Sequence, residues 1–190
     1  MNWLIFTLNA WVLLGLELGL KHTLRIGETQ IAPSFVMPLA VTVAIAAPTT
    51  PALWASLALG AALDLTNAIE TAGGGPARTI LGPYALGYLV AGYLVLTMRG
   101  IMIKKNILTI GFLSMMSSLV ANIVVAAIMA IRARYDTAVE FDASQQLLSR
   151  VIGSLYTGVV GTLIGAVLLA MLGTMGLTIG PARRFGRRTG

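Results

Sequence analysis

Charge is what this chain has least of. Of its 190 residues only 11% are Asp, Glu, Lys or Arg, against 57% hydrophobic. A water-soluble domain carries about 25% charged residues, so there is too little charge here to coat a surface facing water. There is no cysteine, which excludes disulfides, thiolate metal sites and a cysteine nucleophile. The single histidine, His22, stands in a polar segment with no acid set beside it by local sequence. HExxH, GxxxxGK[ST] and paired-carboxylate patterns are missing. The run Gly73-Gly74-Gly75-Pro76 reads as a flexible linker rather than a phosphate loop. Catalysis has little support, no cofactor or metal is expected, and the chain reads as a non-enzyme. The net charge of +6 comes without an aromatic–basic surface, so nucleic acid is not an expected partner.

What the chain does have is apolar runs near the roughly 20 residues that cross a bilayer as a helix. They run from about Trp3 to Leu20, Ile31 to Ala47, Pro51 to Leu65, Pro83 to Met98, Ile107 to Ile131 and Val151 to Ile179. The fold expected is an all-α integral membrane protein, about six transmembrane helices in one bundle over residues 1–180, with a basic cytoplasmic tail at 181–190. The second run is interrupted by Pro33 and Pro38, and Pro48 and Pro51 follow it. The second and third runs are counted as two spans, with a re-entrant hairpin as the alternative. Thr50 is placed to cap the third, with Pro51 at its first position. Asp142 and Gln145 resemble a capping box leading into the last. The first run lacks a basic leader and carries Glu17 near its end, so it reads as a retained span rather than a signal peptide. Arg99, Lys104, Lys105 and the tail arginines 183, 184, 187 and 188 fall on one side, and Lys21, Arg25, Arg78, Arg132, Arg134 and Arg150 on the other. The density of the tail cluster puts both termini in the cytoplasm. There Arg183, Arg184, Arg187 and Arg188 are suited to anionic lipid.

Polar groups inside apolar runs are the candidate sites, because an ionised group in hydrocarbon is costly and needs a partner or water. Asp64 follows Gly60 by four residues, on the same helix face. It reads either as a polar contact inside the bundle or with a partner, or as a hydrated helix end. Glu17 stands four residues before Lys21 and reads either as an intramembrane polar packing contact or as a screened pair at the membrane edge. Ser114, Ser118 and Asn122 form one polar stripe, read as helix-packing contacts. Gly161 and Gly165 have GxxxG spacing, which serves internal packing or a partner alike.

One region goes further. Gly60-Ala-Ala-Leu-Asp64-Leu65, then a loop, then Leu81-Gly82-Pro-Tyr-Ala85-Leu86 and an apolar run containing Gly92-Tyr93, resembles the MreD family of bacterial rod shape-determining membrane proteins. The resemblance covers about Trp54 to Val125. Asn122 stands where that family often has an acid, and the glycine-rich loop and long arginine tail depart from its pattern. The resemblance implies a non-enzymatic scaffold of the cell-elongation machinery in the cytoplasmic (inner) membrane. Its direct partner would be an MreC-like protein, and through it MreB filaments, RodA and a penicillin-binding transpeptidase. Gly60, Asp64, Gly82, Ala85, Leu86 and Tyr93 would be the partner-interface or structural motif. That family is similar in shape to the substrate-binding subunits of energy-coupling-factor (ECF) vitamin transporters. Such a subunit is the alternative, with Tyr135 and Phe141 as the obvious aromatic groups in the outer loops.

Overall fold

The computed structural model describes residues 1–21, 23–25, 31–71, 75–100, 106–135 and 143–177. Among these residues there are six helices, α1 (Trp3–Leu20), α2 (Val36–Ala46), α3 (Thr49–Thr66), α4 (Pro83–Met98), α5 (Ile107–Tyr135) and α6 (Ala143–Met171). A short antiparallel hairpin, β1 (Ala68–Thr71) and β2 (Gly75–Thr79), sits between α3 and α4. The stretch expected to be a plain linker is therefore paired, Ala68 opposite Thr79 and Ile69 opposite Arg78, with a register slip before Thr71 meets Gly75.

Three helices among the described residues are long and apolar enough to cross a membrane: α1, α5 and Leu148–Met171 of α6. Their outer faces carry large exposed apolar side chains, including Leu4, Leu8, Trp11, Leu108, Leu155 and Leu163. Such a surface is unfavourable in water by about 25 cal/mol per Å² and is at home in lipid. The described residues are thus mostly helical, with three helices that could span a membrane.

Several boundaries differ from expectation for identifiable reasons. The helix α2 has 11 residues, about 16 Å at 1.5 Å per residue: Pro48 holds Ala47 extended at its end, while Pro38 falls in its first turn, where the missing N–H costs nothing. Pro48 is the N-cap of α3 and no side chain caps it. Thr50 is thus inside the helix and not its cap. Pro51 still falls in the first turn, where its missing N–H costs nothing. The helix α5 continues to Arg132 and Arg134, whose charges suit a helix C-terminus. The last helix begins at Ala143, where a capping box of Asp142 and Gln145 would start it, although Asp142 itself lies outside the described residues. It stops at Met171 rather than near Ile179. Gly176 has φ +64°, its N–H donates to Gly173 C=O at 3.1 Å, and Leu177 N–H donates to Leu172 C=O at 3.1 Å. That pair of bonds closes a turn which needs a left-handed residue, and glycine supplies it.

At the centre lies α2. Every residue from Val36 to Ile45 is buried, and the helix packs against α1, α3, α4, α5 and α6. A helix hydrophobic all round belongs in the interior. Around it, antiparallel pairs are drawn together by small residues. In α3–α4, a Cβ built on Gly60 would lie 2.7 Å from Ala85 Cα, and one on Gly92 would lie 2.9 Å from Ser56 Cβ. In α5–α6, a Cβ on Gly158 would lie 2.9 Å from Met115 Cβ, one on Gly161 2.9 Å from Ser114 Cβ, and one on Gly165 2.8 Å from Ile110 Cγ2. The GxxxG pair is thus filled from within the chain. In lipid, such close approach supplies the dispersion contacts that a hydrophobic driving force cannot.

Gly60→Ala and Gly165→Ala should each cost about 1–3 kcal/mol through overpacking. Gly15→Ala, where nothing lies within 4 Å, should be neutral or slightly stabilising. Thermal unfolding of the purified variants in one detergent checks the contrast, and equal midpoints for all three would contradict the packing described.

Candidate functional site

The polar groups of this protein are organised around helix ends. The first N–H groups of a helix have no intrahelical acceptor, and in a dry interior each one left unpaired costs several kcal/mol. For α4 the acceptor comes from the end of α3. Asp64, 2% exposed, takes N–H donations from Gly82 (2.8 Å) and Ala85 (3.0 Å) on Oδ2 and from Tyr84 (2.9 Å) on Oδ1. Gly82 has φ +129°, a conformation that glycine adopts without strain, and this lets the chain turn back over the carboxylate. Gly60, one turn earlier on the same face, presses against the Tyr84 carbonyl and Ala85. Gly60, Asp64, Gly82 and Ala85 therefore meet in one clamp. Leu86 and Tyr93 do not join it. They are 48% and 60% exposed and face outward, as do Leu65 and Leu81 beside the clamp.

For α2 the acceptor comes from the end of α1. Glu17 Oε2 takes the N–H groups of Phe35 and Val36, each at 2.9 Å, and the Ser34 hydroxyl at 3.0 Å. Glu17 thus binds a helix N-terminus instead of forming a screened pair at the membrane edge. The Lys21 ammonium donates to Asn67 Oδ1 at 2.9 Å, tying the ends of α1 and α3. Burial pulls the Lys21 ammonium below the usual lysine range, with the Glu17 carboxylate opposing and Arg25 and Arg150 adding to the fall.

Ser34 extends this cap into a network. Its one hydroxyl proton goes to Glu17, so the Tyr88 hydroxyl, 3.1 Å away, is the donor in that pair. Met37 N–H donates to Ser34 Oγ at 3.2 Å, and Ser34 N–H donates to Thr157 Oγ1 at 3.0 Å. These bonds join α1, α2, α4 and α6. On the neighbouring face, Asn122 donates to Ser154 Oγ (3.2 Å) and Ser118 Oγ (3.4 Å), and its Oδ1 accepts from Arg150 (3.1 Å). The stripe predicted on α5 thus divides. Asn122 joins α6 and holds Ser118 of its own helix, while Ser114 lies buried opposite Gly161, its hydroxyl unpartnered. At the other end of α2, Arg99 Nη1 donates to Ala47 C=O at 2.9 Å, and Nη2 reaches Thr49 Oγ1 at 3.4 Å.

Ser34 was not singled out from sequence; Arg99 and Arg150 read only as topology charges, Thr157 only as part of a small-residue line with Gly153, Gly161 and Gly165, and Tyr88 only as one of three tyrosines along its run. Pro33-Ser34 ahead of an apolar run is a helix-start signal and would have pointed to Ser34. Nothing local marks the partners of the others, which lie 28 to 123 residues away. His22 and the tail arginines 183, 184, 187 and 188 lie outside the described residues. Among the described residues no three His, Asp or Glu side chains gather as metal ligands would. Comparison with known protein families, curated proteins and solved structures finds no match.

The two acids differ in a way that substitution reveals. Asp64 uses both oxygens, so Asp64→Asn sets an amide against a backbone N–H and should cost about 2–3 kcal/mol. The bonds described for Glu17 converge on one oxygen, which glutamine retains. Glu17→Gln should therefore cost only about 1 kcal/mol, the loss of charge assistance. Thermal unfolding of both variants decides it, and equal losses or the reverse order would contradict the bonding described.

Proposed function

We propose that this chain is a non-enzymatic membrane scaffold of the bacterial cell-elongation machinery, similar in role to MreD. All six helices would lie in the cytoplasmic membrane, with both termini on the cytoplasmic side. The carrying observation is that the residues of the resemblance divide into a buried clamp and an exposed apolar set beside it. Gly60 and Asp64 hold the start of α4 against α3 at Gly82, Tyr84 and Ala85, Gly92 packs on Ser56 of α3, and Leu65, Leu81, Leu86 and Tyr93 lie exposed. A buried clamp fixes the geometry of an apolar outer face, which suits a protein that presents a helix surface to another membrane protein. An MreC-like protein is the proposed occupant of that face, and MreB filaments, RodA and a penicillin-binding transpeptidase would be linked through it. The short α2 fits this arrangement, because a helix enclosed by five others need not reach lipid at either end.

A second reading, the substrate-binding subunit of an ECF vitamin transporter, draws on one observation. Ser34, Tyr88, Thr157, Asn122 and Arg150 place polar groups between helices inside the bundle.

Affinity purification from the native membrane in mild detergent should recover an MreC-like protein with cell-wall synthases. Leu86→Ala combined with Tyr93→Ala should reduce that recovery severalfold without lowering the thermal midpoint. Recovery of an ATPase with a coupling membrane subunit would favour the transporter reading, and full recovery by the double variant would remove this face from the contact. A reporter fused at Gly190 should be active only as a cytoplasmic reporter, and periplasmic activity would reverse the orientation.

A further inference from the structure

Three cations gather at the end of the bundle where α1 finishes and α6 begins. Lys21 follows the last residue of α1, and Arg150 stands two residues inside the apolar stretch Leu148–Met171. Ser34 bridges α1 and α6 near this level: its hydroxyl donates to Glu17, one turn before Lys21, and its N–H to Thr157, two turns after Arg150, while Gly153 approaches the Ala32 carbonyl. Arg25 and Arg150 both lie within electrostatic reach of the Lys21 ammonium. All three side chains are half-buried. Arg25 Nε is buried with no partner. Lys21 and Arg150 are held in place by neutral amides, Asn67 and Asn122. The carboxylate that Lys21 feels is Glu17, whose Oε2 already serves three donors at the start of α2.

Partly desolvated like charges repel one another more strongly than the same charges in water, and an anion placed among them relieves that repulsion. Guanidinium groups suit the planar, forked recognition of phosphate oxygens, and an ammonium adds a point charge. Depth selects the source of the anion. The ends of helices that cross the hydrocarbon lie at the level of lipid headgroups. We propose that Lys21, Arg25 and Arg150 form a phosphate-binding site filled by the headgroup of an anionic phospholipid. The site is independent of the scaffold reading and uses none of the residues of its motif.

The test uses the full-length chain with Arg183, Arg184, Arg187 and Arg188 replaced by glutamine, so that the tail's own attraction to lipid is removed. The thermal midpoint in neutral detergent is followed while phosphatidylglycerol, phosphatidylcholine or inorganic phosphate is added. Phosphatidylglycerol should raise the midpoint saturably, as a ligand of the folded state does, and phosphatidylcholine should not. Adding Arg25→Gln or Arg150→Gln should raise the half-saturating phosphatidylglycerol at least about tenfold, the loss of one charged contact. Equal responses to the two lipids would overturn the proposal, and this comparison stands even if a variant fails to fold. An unchanged titration in both variants would also overturn it. The same gain from millimolar inorganic phosphate would overturn the lipid as occupant and assign the site to a soluble anion.

Discussion

A helix with no exposed side must have its ends satisfied from within the protein, and α2 is such a helix. Its ten residues from Val36 to Ile45 are buried, so water cannot reach the amides that open it or the carbonyls that close it. A carboxylate from α1 meets the first end and a guanidinium from α4 the second. Each charge also has the sign that the helix dipole favours at that end. Burying an ionised carboxylate costs several kcal/mol. Charge-assisted hydrogen bonds are worth about 1.5–3 kcal/mol each, so three donors on Glu17 offset that cost. The surrounding helices are then free to pack on α2 with small residues and no further polar provision along its length.

The same solution recurs one hairpin later. Leu16-Glu17-Leu18 ends α1 and Leu63-Asp64-Leu65 ends α3. Each acid reaches forward about the same distance in sequence, Glu17 to Phe35 and Asp64 to Gly82. In both cases the acid near the end of one helix caps the start of the next and fixes the turn between them. Lys21 and Asn67, which follow the two acids, bond to each other and tie the two units side by side. A framework held by such internal bonds leaves its outer apolar faces available to lipid and to other membrane proteins.

How much of this was legible depends on the range of the physics involved. Helices α1 and α4 were readable to the residue, because their limits are set locally by an apolar run and by Gly82-Pro83 at the start of α4. The pairing of Asp64 with Gly82 was hinted at only by the motif that contains both, since residue spacing alone left Asp64 as a bundle contact or a hydrated helix end. The hairpin β1–β2 was not, since its segment lacks the alternating apolar pattern of a strand. The partner of Glu17 was also hidden. Lys21 is its obvious neighbour at helical spacing, and only the fold shows that the start of α2 has the stronger need. Arg99 and Arg150 looked like topology signals because a sequence shows charge without showing what lies across the bundle.

Amide hydrogen exchange on the unaltered protein in a membrane mimic tests the central claim most directly. If Glu17 and Asp64 hold the buried starts of α2 and α4, the amides of Phe35, Val36, Gly82, Tyr84 and Ala85 should exchange as slowly as amides in the middle of those helices. Exchange of these five amides at the rate of frayed, solvent-exposed helix ends would contradict it.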